Sequence, residues 1–197
     1  MKQEPLDNTC VNTRKNTGID EPCLTPGNSA WIGDKPITAP EDMGLQAGLE
    51  MKWYCVGTPT TSAGYYMNTL TPTSTFTIGD VYFPGDNYFM TAANSNCRNY
   101  FGTIISGKVA VHEAGLYTFE TTSDDGSRLY VNGDMLVDNW GLHGAVSRSG
   151  SVTLNKGYHD LKIEMFENNG GAYLTASYHG PDTENTSKLL HGFHKPE

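Results

Sequence analysis

One dipeptide constrains this chain more than any other feature: Asn132-Gly133, set between the apolar runs RLYV and DMLV. A two-residue type I′ turn needs φ > 0 at both central positions, and Asn-Gly supplies it, so two antiparallel strands are expected to meet there. Upstream, GLYTFETT alternates polar and apolar residues and is rich in aromatic and β-branched types, the pattern of a half-buried strand. Ser123 to Ser127, SDDGS, then reads as a turn, because Asp side chains bond their own backbone and Gly supplies positive φ. The pair Asp124 and Asp125 therefore falls at a strand end, just before a hairpin.

Two readings of that pair are open from the residues. It can be a solvated turn. Alternatively, a sharp turn or a cis peptide aims both carboxylates at one point, where their repulsion and desolvation call for a hard cation such as Ca²⁺.

The surrounding residues resemble a known family. The chain carries, in order, Gly115, Tyr117 to Phe119, Ser123 to Gly126, Val131 to Gly133, Asp138 to Trp140 and Phe166 to Gly171. This series is similar to the domain named after the N-terminal fragment of anthrax protective antigen. The match is densest over 101–181, with GLEMKWY at 48–54 resembling the family's opening strand. Where the family has a Trp in the strand before Gly115, this chain has Ile105. The resemblance implies an all-β antiparallel sandwich or barrel. It also implies a calcium-dependent lectin of the flocculin and adhesin type, with Asp124 and Asp125 as metal ligands. Asn168 and the carbonyls of Gly170 and Ala172 would complete the protein's share of the coordination. Asn169 competes with Asn168, and Trp140 and His143 flank the expected sugar, although packing suits Trp140 and a turn-capping role suits His143. Terminal sugars of cell-surface glycans are the implied partners, through vicinal hydroxyls. Other members of the family are structural or protein-binding modules, and some are accessory modules of glycosidases.

Composition agrees with this without proving it. A net charge of −9 argues against nucleic-acid binding and against an anionic membrane surface. No apolar run is long enough to span a membrane. MKQEPLDNTC has no apolar core of the kind a signal peptide needs, so Met1 reads as the start of a mature or excised fragment, a monomeric domain of a larger extracellular or cell-surface protein. Four cysteines, Cys10, Cys23, Cys55 and Cys97, lack metal-ligand spacing and predict two disulfides. Three connectivities are possible. The favoured arrangement ties Cys10 or Cys23 to the strand around Cys55, with Cys97 in the remaining pair. Catalytic motifs with a nucleophile elbow, a His-Glu-x-x-His helix or a phosphate loop are absent, and adjacent carboxylates poorly suit a glycosidase, so no enzymatic activity is expected.

The expected organisation has three parts. Residues 1–45 form an irregular, cysteine-stapled segment with Trp31, 46–181 the lectin domain, and 182–197 a tail that returns to pack Leu189, Leu190 and Phe193. Leu49, Met51 and Trp53 share one strand face, as do Leu161, Ile163 and Met165. Residues 74–90 predict two short strands, and AYLTASYHG the last strand. Tyr65, Tyr66, Tyr82, Tyr88 and Tyr100 are candidates for stacking on a sugar, with core or rim packing as the alternative.

Overall fold

The computed structural model describes residues 37–57 and 67–196, all within the unit Ile37–Glu197. The expectations for the segment before residue 37, with Cys10, Cys23 and Trp31, and for Tyr65 and Tyr66, lie outside the described residues.

In chain order the strands are β1 (Gln46–Ala47), β2 (Leu49–Cys55), β3 (Ser74–Ile78) and β4 (Tyr82–Phe83). Helix α1 (Asp86–Ala93) follows, then β5 (Phe101–Val111), β6 (Gly115–Asp124), β7 (Ser127–Val131) and β8 (Asp134–Asn139). The chain closes with β9 (Val146–Leu154), β10 (Gly157–Glu167), β11 (Tyr173–His179), β12 (Lys188–Leu189) and β13 (Phe193–His194).

They form two antiparallel sheets rather than a closed barrel. The first runs β1-β13-β5-β10-β7-β8, with β2 bridging β3 and β5; the second runs β12-β11-β6-β9, with β4 on β11. Strand alternation decides the core. Leu49, Met51 and Trp53 on β2, and Ile163 and Met165 on β10, are fully buried, facing Tyr117, Phe119 and Leu174 in one cluster. Ile105 stands opposite Ile163 and beside Met51, fixing the register of β5. The Asn132-Gly133 turn joins β7 to β8 with φ of 53° and 91°, as the I′ geometry requires.

The two short strands expected in 74–90 are β3 and β4. After the Pro84-Gly85 break comes a helix the sequence did not signal: Phe89, Met90 and Ala93 bury one face of α1, and Phe89 lies 6.2 Å from Trp53 and 4.6 Å from Phe83. Two sequence expectations are corrected. β11 is not the last strand, because β12 pairs with it and β13 with β5. Leu190, between them, is fully buried while Leu189 is exposed. The favoured cysteine pairing is also overturned: Cys55 is bonded to Cys97. The physical reason is register. Cys55 sits opposite Phe101 at the end of β2, so the loop leading into β5 passes beside it.

Candidate functional site

The site lies where the chain passes between the sheets. Asp125 and Gly126 form the whole connection from β6, in the second sheet, to β7, in the first. Residues 140–145 carry β8 to β9, residues 168–172 carry β10 to β11, and residues 84–100, with α1, carry β4 to β5. Register draws these connections together. Tyr173 stands opposite Asp124 in one sheet, while Met165 stands opposite Ser127 in the other. The Phe166 amide then bonds the Gly126 carbonyl at 3.0 Å, which brings Glu167 alongside Asp125.

Asp125 is the hub. The peptide before it, Asp124-Asp125, is cis. Its side chain is 6% exposed, and each oxygen accepts one backbone N–H, Oδ1 from His143 at 3.0 Å and Oδ2 from Asn168 at 2.9 Å. One carboxylate thus holds two of the other connections. Tyr100 donates its amide to the Asn168 carbonyl at 3.0 Å, adding the connection through α1. Asp86, at the start of α1, accepts the Ala172 amide at 2.6 Å and pairs with Arg98 at 3.6 Å.

Gly126 has no room for a side chain. A Cβ there would stand 2.5 Å from the Phe166 ring and 2.7 Å from the Gly141 nitrogen. Behind the turn, buried hydroxyls close a chain: Ser123 donates to Ser127 and Ser127 to Thr121, while the Asn139 amide donates to Ser123 and to the Val146 carbonyl. These bonds satisfy polar groups that burial would otherwise leave costly.

Carboxylate oxygens of Asp124, Asp125 and Glu167 all lie within 4.8 Å of one another. Sequence reading selected the two aspartates and missed Glu167. Glu167 is fully buried, and neither of its oxygens has a hydrogen-bond partner. Burial, and then the like charges of Asp125 and Asp124, push it up to about 8; the nearby Asp125 N–H, outside hydrogen-bonding geometry, offsets this only in part. Burial and Asp125 also raise Asp124. Three converging carboxyl groups, one orphaned in the interior, are a donor set that suits a hard, oxygen-seeking cation.

These shifts give a stability prediction. Glu167 binds its proton more tightly folded than unfolded, so the metal-free protein should lose stability as pH rises from the ordinary glutamate value of 4.5 toward about 8. Urea unfolding in metal-free buffer across that window should show a falling midpoint, and millimolar Ca²⁺ should flatten the fall.

The other candidate residues are distributed around this centre. Trp140 packs 4.7 Å from Phe166, with the Arg128 guanidinium 4.4 Å from its ring centre. The His143 ring bonds the carbonyls of Gly144 and Asn139, tying together its own loop. Asn168 and Asn169 occupy the connection after Glu167, with Gly170 at φ 113° and Ala172 buried beside β11. Tyr82 and Tyr88 are exposed and meet edge to face at 6.1 Å, whereas Tyr100 adopts φ 58° beside the Asn168 loop.

The family model described as the PA14 domain matches residues 57–190. The chain belongs to the PA14 family. This PA14 chain is 38% identical over 63 residues to the anti-sigma-I factor RsgI3 of Acetivibrio thermocellus, a match spanning 32% of the chain and 10% of that relative. Among solved structures it is similar to a PA14 sugar-binding domain from an RTX adhesin, with TM-score 0.60, 21% identity, and 75% and 98% of the two chains covered. It is also similar to the Epithelial Adhesin 9 A domain of Candida glabrata in complex with Galβ1-4GlcNAc, with TM-score 0.59, 14% identity, and 81% and 94% covered. At these identities the structural likenesses establish the shared fold.

Proposed function

We propose that this PA14 domain is a calcium-dependent carbohydrate-binding module of a larger extracellular or cell-surface protein. The observation that carries the reading is the meeting of Asp124 and Asp125 with a third carboxyl group at the end of the sandwich where its connections converge. Two solved proteins of the same fold support it: one is named a sugar-binding domain and the other holds a galactosyl disaccharide.

In this reading Asp124 and Asp125 hold Ca²⁺ together with the Asn168 side chain and the carbonyls of Gly170 and Ala172. The ion would supply a Lewis-acidic centre able to take two vicinal hydroxyls of a terminal sugar. The carboxylates that hold it also accept charge-assisted hydrogen bonds from those hydroxyls, adding directional selectivity. Asn169 lies on the same loop as a further polar contact. Asp125, pinned by the amides of His143 and Asn168, keeps its oxygens fixed before the ligand arrives, so little ordering remains to oppose binding. One shallow site binds a monosaccharide weakly, and multivalent display raises avidity.

A second reading concerns context. A sequence relative is an anti-sigma factor, and in a regulatory protein of that kind glycan occupancy of the same module would be the signal rather than the anchor.

A glycan array probed with the purified domain tests the proposal. Spots carrying terminal sugars should bind in millimolar Ca²⁺ and fall silent in chelator. Silence in both conditions, with a flat calcium titration, overturns it.

A further inference from the structure

We propose that Glu167 is itself a ligand of the cation, a third carboxylate that grips it from the protein interior, opposite the face left to the sugar. The inference rests on the calcium reading above and adds a residue to it. Four observations carry it. Glu167 is fully buried, yet both carboxylate oxygens lack a hydrogen-bond partner. An unpartnered carboxyl group in a protein interior is costly, and native structures rarely retain one without a use for it. One of its oxygens reaches the aspartate pair, within 4.8 Å of an oxygen of each. Finally, backbone pairing fixes it there, because the Phe166–Gly126 bond sets Glu167 beside Asp125 before the chain leaves β10.

The three carboxylates divide the task. Asp125 already accepts one N–H at each oxygen but retains a second lone-pair direction on each. Asp124 is half-buried and stands toward solvent, next to Gly144. Glu167 closes the interior side. A site with three negative charges holds a hard cation more tightly than one with two, since charge count is a main determinant of calcium affinity. Its Kd should therefore fall below the roughly 10⁻⁴–10⁻³ M of weak extracellular calcium modules. The same residue penalises the protein when no cation is bound, so occupancy and folding are linked through one side chain.

Calorimetric titration of Ca²⁺ into the full chain, paired with thermal melts in chelator, tests the assignment. Glu167→Gln should weaken Ca²⁺ binding roughly 10- to 100-fold. In chelator at mildly alkaline pH it should melt about 2–4 °C higher than the unsubstituted protein, because it removes a buried, unpartnered charge. A residue with a merely structural role would lower the melt and leave affinity unchanged, and that result overturns the inference. Should Glu167→Gln fail to fold, Glu167→Asp decides: it keeps the charge but withdraws the carboxylate by one methylene. Weakened calcium binding then supports the assignment, and undiminished binding overturns it. A flat titration for the unsubstituted chain overturns the calcium reading as a whole, whereas normal binding by both variants overturns the role of Glu167 alone.

Discussion

Asp125→Ala should abolish calcium and glycan binding and also lower the melting temperature by about 5–10 °C. Both effects come from one side chain. Its oxygens are proposed ligands, and they are also the acceptors for the amides of His143 and Asn168. Hydrogen bonds to a charged group contribute about 1.5–3 kcal/mol each, so two lost bonds outweigh the relief of repulsion toward Asp124 and Glu167. Each kcal/mol moves a domain of this size by about 2–4 °C. The neighbouring aspartate separates the two roles. Asp124 makes no such amide bonds among the described residues, and its ionised carboxylate is disfavoured by burial and by Asp125. Asp124→Ala should therefore lose binding while the metal-free melt stays level or rises. Scanning fluorimetry in chelator beside calcium calorimetry checks both variants. Equal destabilisation by the two would contradict the division.

Replacing Cys55 and Cys97 together by serine should give the largest loss of stability short of dismantling the core. The bond spans a sequence separation of 42 residues, and loop-closure entropy for a ring of that size is about 4 kcal/mol. The expected fall in melting temperature is about 8–16 °C. Calcium affinity should change much less, because Asp124, Asp125 and Glu167 come from β6, the β6–β7 turn and β10, none of which the bond tethers. What loss there is should reach calcium and sugar together. Arg98, next to Cys97, pairs with Asp86, and Asp86 holds the amide of Ala172, whose carbonyl is a proposed ligand. Titrating the double variant first with calcium and then with a glycan checks that the two losses are small and parallel.

The sequence made some of this legible and hid the rest for physical reasons. Asn132-Gly133 and the alternation of Leu161, Ile163 and Met165 are local signals, and local signals survive without tertiary information. The Asp124-Asp125 pair was visible because a turn motif frames it. The helix at 86–93 was not: DNYFMTAA holds aromatic residues that suit a strand equally well, and only the packing of Phe89 against Trp53 and Phe83 settles the matter. The Cys55–Cys97 bond depends on the register between β2 and β5, which no spacing of cysteines reveals. Glu167 is the instructive omission. It continues the row Leu161, Ile163, Met165 at a spacing of two, so alternation alone turns it inward. A charged residue at a strand end, followed by Asn-Asn-Gly-Gly, has the composition of a solvated loop, and only the pairing of Phe166 with Gly126 shows that it is interior.

The crossings that meet at the site also bear on how the domain meets mechanical load. Asp125 stands on the passage from the second sheet to the first, and Glu167 is the last residue of β10, where the passage back begins. A cation held between them would be a rivet through both layers. Tension that slides one sheet past the other would first have to draw oxygen ligands off the metal, so under this proposal the domain should yield to pulling at lower force in chelator than in calcium. Under shear flow, grip on a glycan and resistance to unravelling would then rise and fall together.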